Sequence, residues 1–284
     1  MVKIFWRKFV NCVKKFRVIR YLYFLLKLPS EVQHLKDRVE SVCSVLERKF
    51  ASAKEEHIEV IPNPYLVQEQ DFYIGFEKIF RGNEQELYRK LSKYMFYIDE
   101  VIKEHPSLYG KSFLDVGCGK GEFLDLLVKK KISAIGVEIN SSLRQILESK
   151  GLRIVFADAI NFLRSVENDS LLGISAFHFI EHLCFDDFIL FVHLAYCKIS
   201  FGGIIILESP NPKCAYAFSN FFLDPTHIRP YPYELVKYTL EWYNFKDVKV
   251  VFSSPCPLEF RTGNNEADYM DYGIIAYKKP TSSN

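Results

Sequence analysis

The sequence predicts an α/β fold: a mostly parallel sheet covered by helices on both faces, carrying an N-terminal helical extension. Three observations lead there. From about Ser112 onward, short apolar runs of strand length alternate with amphipathic stretches of helix length. A glycine-rich loop, Asp115 to Gly121, stands where the first strand should turn into a helix, and acidic residues close the next two strands at Glu138 and Asp158. Repeated strand-helix units with uniformly apolar strands require a sheet buried on both sides.

The chain has 284 residues, 49% of them hydrophobic, which suffices for one large domain with an appendage. Residues 1–28 mix aromatic and aliphatic side chains with Lys3, Arg7, Lys8, Lys14, Lys15, Arg17, Arg20 and Lys27, and no acidic residue precedes Glu31. This is the composition of a basic amphipathic helix. It suits peripheral contact with an anionic membrane, and equally a helix packed on the protein's own body. Pro29 ends the segment, and Ser30 with Gln33 forms a capping box that opens a second helix over residues 29–57. There Val32, Leu35, Val39, Val42 and Leu46 make a seam of about two heptads. A seam that short fits either self-association into a homo-oligomer or a helix laid on the main domain.

A Pro-containing linker is expected at residues 58–70, and the main domain at 71–284. Its elements read in order as a helical stretch from Asn83 to about His105, strand Ser112–Val116, helix Gly121–Lys130, strand Ala134–Glu138, helix Ser142–Ser149 and strand Arg153–Ala157. Strand Gly173–Phe177, helix Phe185–Ser200, strand Gly203–Glu208 and helix Tyr233–Trp242 follow, with last strands near Val248–Phe252 and Tyr272–Tyr277.

Charge and cysteine content narrow the function. Taking the eight N-terminal basic residues from the 37 Lys and Arg leaves 29 against 35 Asp and Glu, so the main body is acidic. A duplex-binding enzyme would be basic over its main body, and no nucleic-acid partner is expected. The 7 cysteines form no CxxC pair, and their odd number argues against a complete disulfide framework. No apolar run reaches the roughly 18 to 20 residues that span a bilayer. A cytoplasmic protein is expected, with the basic segment at the inner face of the membrane if it binds lipid.

The loop Phe113-Leu-Asp-Val-Gly-Cys-Gly-Lys-Gly121 lets the backbone approach a ligand closely while keeping the turn tight. Counted from Gly117 and Gly119, the third glycine of a nicotinamide fingerprint would fall on Glu122, so that reading fails. Glu138 lies about twenty residues past the loop, where a strand-end carboxylate accepts ribose hydroxyl hydrogens. Farther on, His178-Phe-Ile-Glu-His182 spells the inverted zinc-peptidase motif. Zinc ligation would need both histidines on one helix face, whereas here the motif follows an apolar strand and bends into a loop. No metal is therefore expected. The long segment from Ser209 to Pro232, at the carboxyl end of a parallel strand, should overhang the ligand crevice.

The D-x-G-x-G-x-G form resembles motif I of class I S-adenosylmethionine-dependent methyltransferases. With Phe80-Arg-Gly82, F-H-F-I-E-H-L, E-S-P-N-P and Asp224-Pro-Thr-His-Ile-Arg-Pro230, the likeness extends over about Tyr73 to Phe245. In that range the chain is similar to methyltransferases of bacterial O-antigen and surface-polysaccharide assembly, chain-terminating enzymes included. No kinase-like sequence follows, so the phosphorylate-then-methylate arrangement of some relatives is not expected. The resemblance implies a Rossmann-like fold with seven strands and S-adenosylmethionine as cofactor. It implies that Arg81 lies near the cofactor's carboxylate, and that Asp115, Gly117, Cys118, Gly119 and Gly121 surround its methionine and ribose. Glu138 and Ile139, then Asp158, Ala159 and Phe177, complete the ribose and adenine side.

On the acceptor side the implied set is Glu181, His182, Asp224, His227, Arg229 and Tyr231. A sugar hydroxyl would need a base, with His227 the first choice and His182 the second. A phosphate acceptor would instead be positioned by Arg229. The expected acceptor is a glycan or a lipid-linked glycan, which would give the basic N-terminus a use. Two other readings share the residues: a small-molecule or quinone O-methyltransferase, and a non-catalytic scaffold that only binds the cofactor.

Overall fold

The computed structural model describes residues 75, 76, 79, 84–264 and 266–279. All of them belong to the unit Pro64–Asn284. The expectations for residues 1–28, 29–57 and 58–70, and for Arg81, lie outside the described residues.

Two helices lead in, α1 (Glu84–Ser92) and α2 (Met95–Glu104). Strand β1 (Ser112–Val116) passes into α3 (Glu122–Lys129), β2 (Ala134–Glu138) into α4 (Arg144–Ser149), and β3 (Ile154–Phe156) into α5 (Ala159–Ser165). Then come β4 (Leu171–Phe177), α6 (Phe185–Lys198), β5 (Ile199–Pro210), the short α7 (Ala215–Ser219) and α8 (Tyr233–Trp242). Strands β6 (Lys246–Pro255) and β7 (Tyr269–Tyr277) close the domain. They form one seven-stranded sheet in the order β3-β2-β1-β4-β5-β7-β6. Neighbours are parallel except for β7, which runs antiparallel to both β5 and β6.

Strand residues alternate between two cores because successive side chains leave opposite faces of a strand. Leu114, Ile174, Ile205 and Leu207 pack with α5, α6 and α8 on one face. Phe113, Leu172, Ile204 and Ile206 pack with α1, α2 and α3 on the other. Burying one such side chain contributes about 1.5–3 kcal/mol, so the four consecutive, fully buried residues Ile204–Leu207 anchor the centre of the sheet.

The structure departs from the sequence reading at several points: α7 is an added helix and β5 begins at Ile199, inside the expected helix, and two further differences bear on the core. The helical stretch from Asn83 to His105 is two helices, because the chain turns at Lys93–Tyr94. That turn drives Tyr94 into the core, where its hydroxyl donates to Glu208 Oε2 at 2.6 Å. Helix α5 was not anticipated, although Asp158 accepts from Asn161 N–H at 2.8 Å as an N-cap.

The Tyr94 insertion depends on Gly273 of β7. A Cβ at that position would overlap the Tyr94 hydroxyl and meet Val251 Cγ2 at 3.0 Å. Gly273→Ala should therefore destabilise the domain by about 1–3 kcal/mol through overpacking. Thermal unfolding followed by circular dichroism should show Tm lowered by several degrees, and an unchanged Tm would contradict the assigned packing.

Candidate active site

At the carboxyl ends of the parallel strands lies a cavity of ≈ 1160 Å³, floored by β1, β2 and β4 and flanked by α1 and the segment after β5. Its first half is built by the β1–α3 loop. Gly117, Gly119 and Gly121 have φ of 64°, 53° and 78°, left-handed conformations that a side chain makes costly. At Gly117 a Cβ would stand 3.1 Å from the Phe179 ring. Glu138, buried at the tip of β2, accepts from Gly119 N–H at 2.9 Å and from Asn140 N–H at 2.8 Å, one bond on each carboxylate oxygen. Asp115 is buried at the end of β1 and accepts from Ser175 Oγ at 2.5 Å.

Phe177 lines the same half, tilted against Tyr94 and edge-on to Phe123 with centroid distances of 5.2 and 4.7 Å. Cys118 contributes to the lining, but its Sγ is turned toward Gly136 of β2. Burial pushes its thiol well above the ordinary range.

Several residues expected around the cofactor lie outside this cavity. Gly121 does not line it; a Cβ there would overlap the Leu152 side chain, so this glycine serves the packing of α3. Ile139 is exposed beside Glu138, Asp158 is exposed as the cap of α5, and Ala159 is buried in its first turn.

The second half is framed by the turn Ile180–His182 and by the overhanging segment. Ile228 N–H and Arg229 N–H both donate to the Glu181 carbonyl, at 2.9 and 3.3 Å, which ties the overhang to the turn. The rings of His182 and His227 come within 4.8 Å of each other, and both residues line the cavity with Asp224. His227 Nδ1 is 2.5 Å from the Phe221 carbonyl, which can only accept, so Nδ1 carries the hydrogen and Nε2 holds the lone pair. Burial lowers the His227 pKa, which keeps the ring neutral near pH 7 against the opposing pull of Glu181. Thr226 Oγ1 donates to Asp224 Oδ1 at 2.6 Å, so its remaining contact, 2.9 Å from His182 Nδ1, must accept a hydrogen from that ring.

Two expected substrate-binding residues need correction. The Arg229 guanidinium lies 5.3 and 5.0 Å from the Phe185 and Tyr231 ring centroids, and the residue does not line the cavity. An aromatic face holds the cation there. Tyr231 is fully buried, its hydroxyl donates to the Leu183 carbonyl at 3.0 Å, and its own carbonyl accepts from Tyr272 at 2.7 Å. Both residues brace the overhang instead of facing substrate. Glu181 is likewise fully buried beneath the cavity, where it accepts from Ser209 Oγ at 3.1 Å.

The H-x-x-E-H string does not form the helical zinc arrangement. His178 has φ of 49°, and Phe179 at φ −122° also leaves helical geometry, so the two histidines diverge. His178 joins a charged group that the sequence reading missed. Lys90 Nζ lies 2.8 Å from both Glu208 and Asp271, and Lys93 reaches Glu208 at 3.3 Å. His178 Nδ1 is 3.2 Å from Glu181 Oε1, and its Nε2 is 3.6 Å from Glu208. Burial and the Lys90 charge work against protonation of His178, but its contacts with Glu181 and Glu208 prevail and push its pKa up to about 10. Burial opposes the Glu208 charge too, yet Lys90, His178 and Lys93 hold that carboxyl well below its usual range. The local signs of this group were Glu208 in the E-S-P-N-P string and His178 in the H-x-x-E-H string.

Comparison with known proteins agrees with this architecture. The methyltransferase domain family matches residues 81–250. The structure of an S-adenosylmethionine-dependent methyltransferase from Archaeoglobus fulgidus is similar with a TM-score of 0.64 and 32% identity, over 73% of this chain and 100% of that one. A possible histamine N-methyltransferase from Thermotoga maritima, at 18% identity and TM-score 0.53, covers 74% of this chain and 97% of its own. An S-adenosylmethionine-dependent methyltransferase from Clostridium acetobutylicum, at 13% identity and TM-score 0.51, covers 75% and 99%. These two share the fold. No curated protein matches the sequence. The family match over more than half the chain, the full-length likeness to the Archaeoglobus enzyme and the glycine loop at the tip of β1 lead to one conclusion: this chain belongs to the methyltransferase domain family and is an S-adenosylmethionine-dependent methyltransferase.

Proposed function

We propose that the enzyme O-methylates a sugar hydroxyl of a cell-surface glycan or of its lipid-linked precursor. The observation that carries the O-methylation is the His227 ring, whose Nδ1 hydrogen is held by the Phe221 carbonyl while Nε2 keeps its lone pair beside His182 and 4.0 Å from Asp224 Oδ2. A hydroxyl acceptor needs a group that removes its proton, and a neutral imidazole with a fixed tautomer is suited to it. The residue expected to position a phosphate acceptor, Arg229, is engaged with Phe185 and Tyr231 instead. The glycan class rests on the resemblance of the Asp224–Pro230 string and on the basic composition of residues 1–28.

The first half of the cavity fits S-adenosylmethionine, which supplies a methyl group already activated on a sulfonium. Gly117 and Gly119 take left-handed conformations in a loop without side chains at these positions, the Glu138 carboxylate at the tip of β2 suits the two ribose hydroxyls, and Asp115 lines the same half. Phe177 closes the space between cofactor and acceptor halves. Ile139, Asp158 and Ala159 are assigned to the adenine end at the open rim beyond β2 and β3. The overhang aligns the acceptor, the main demand when the donor carries its own activation.

The test is acceptor profiling with methyl-labelled S-adenosylmethionine. Label in lipid-linked glycan, released as an O-methyl sugar, supports the reading; label only in quinones or catechols replaces it with the small-molecule one. A second expectation concerns the N-terminus. Deleting residues 1–28 should move the protein from the membrane to the soluble fraction with cofactor affinity unchanged, and unaltered fractionation would remove the membrane contact. Among the described residues no helix is long and apolar enough to cross a membrane.

A further inference from the structure

We infer that Glu181, His182 and His227 together take a divalent cation of the first transition row, zinc or manganese, on the acceptor side of the cavity. The inference rests on the reading of that side as the acceptor site, and it changes the part played by His227. One ligand atom from each of the three residues lies within 4.8 Å of the others.

The surroundings of each residue are those of a ligand. Both imidazoles have their Nδ1 hydrogens engaged, His227 with the Phe221 carbonyl and His182 with Thr226 Oγ1, which is itself backed by Asp224. A histidine whose Nδ1–H is held by a carbonyl or a carboxylate-backed partner has its Nε2 lone pair oriented for a metal. Glu181 is a fully buried carboxylate, and its Oε1 forms no well-directed hydrogen bond, only the 3.2 Å approach of His178 Nδ1. Its backbone carbonyl receives both Ile228 and Arg229, so binding here would lock the overhang to the turn.

Two imidazoles and one carboxylate suit zinc, manganese or iron and leave coordination positions open. Ligand distances of about 2.0–2.2 Å put neighbouring ligand atoms about 3–3.5 Å apart, so the widest pair needs to close by up to about 1.3–1.8 Å. His182 and His227 sit on different segments, the turn after β4 and the overhang, so this closure moves one against the other. A second group of possible ligands, His178, Glu208 and Asp271, does not qualify. Lys90 Nζ already stands 2.8 Å from both carboxylates and supplies the positive charge a metal would bring.

The open positions face the cavity and receive an acceptor oxygen. A hydroxyl held there loses its proton to bulk water more readily, and His227 is then a ligand instead of the proton acceptor. This gives the H-x-x-E-H string a role, through Glu181 and His182 joined by His227 from 45 residues downstream instead of through His178.

The test uses the full chain, stripped with a chelator and titrated with manganese chloride and separately with zinc chloride by calorimetry and equilibrium dialysis. One equivalent should bind. His227→Asn and His182→Asn should each weaken binding at least tenfold, and Thr226→Val, which keeps all three ligands, should weaken it less. His193→Ala removes the surface pair formed with Cys197 at 3.9 Å and should leave the affinity unchanged. No stoichiometric ion in the wild type, or equal affinity in the His227 and His182 variants, overturns the inference. S-adenosylmethionine affinity and circular dichroism measured on the same samples separate the two readings. Cofactor binding without ion binding removes the cation and leaves the methyltransferase; ion binding without label in any glycan keeps the cation and removes the proposed acceptor.

Discussion

Glu138→Ala should weaken S-adenosylmethionine binding at least 100-fold in calorimetric titration, and Gly119→Arg should remove it at concentrations that saturate the wild type. The Glu138 carboxylate does two things at once. It accepts from Gly119 N–H and Asn140 N–H, which fixes the loop against the tip of β2, and it lines the cavity. Hydrogen bonds to a charged group contribute about 1.5–3 kcal/mol each, and every 1.4 kcal/mol is about tenfold in affinity. Losing the loop brace together with the proposed ribose contacts therefore exceeds two decades. Gly119 at φ 53° tolerates a side chain poorly, and an arginine there would project where the loop meets the ligand. Glu138→Gln separates the two effects: an amide oxygen still accepts from one backbone N–H, so its loss should fall between wild type and alanine. Wild-type affinity in both Glu138→Ala and Gly119→Arg would move the cofactor out of this half of the cavity.

Local chemistry explains what the sequence disclosed. Glycines at three alternate positions after an apolar strand demand unusual backbone conformations, and they adopt them. The Glu138 spacing follows from one strand-helix-strand repeat, so it too could be counted along the chain. Contacts between distant segments left no such trace. Lys90 and Asp271 meet across 181 residues of sequence, and Tyr94 and Glu208 across 114. Arg229 and Tyr231 looked functional because they sit in a polar overhang, but their partners Phe185 and Leu183 lie in an element that the sequence alone does not bring close. Asp158 carries a second role that the cofactor reading passed over: it caps Asn161 N–H, and with that bond helix α5 begins.

His227→Ala should lower kcat by about 10²–10⁴-fold, the range for loss of a positioned proton-transfer group, while S-adenosylmethionine affinity stays within about twofold. The separation follows from geometry, since His227 and its partner Phe221 belong to the overhang and Glu138 to the opposite half of the cavity. His182→Ala should also lower kcat, because its ring stands 4.8 Å from His227 and completes the chain through Thr226 to Asp224. The double variant is the more informative. Two residues that serve one acceptor proton, whether as base and neighbour or as two ligands of one cation, act as a unit, and their losses do not multiply. The double variant should then be scarcely slower than His227→Ala. Multiplicative losses would mean that the histidines act on separate steps, and wild-type kcat in His227→Ala would remove the acceptor assignment from this side of the cavity altogether.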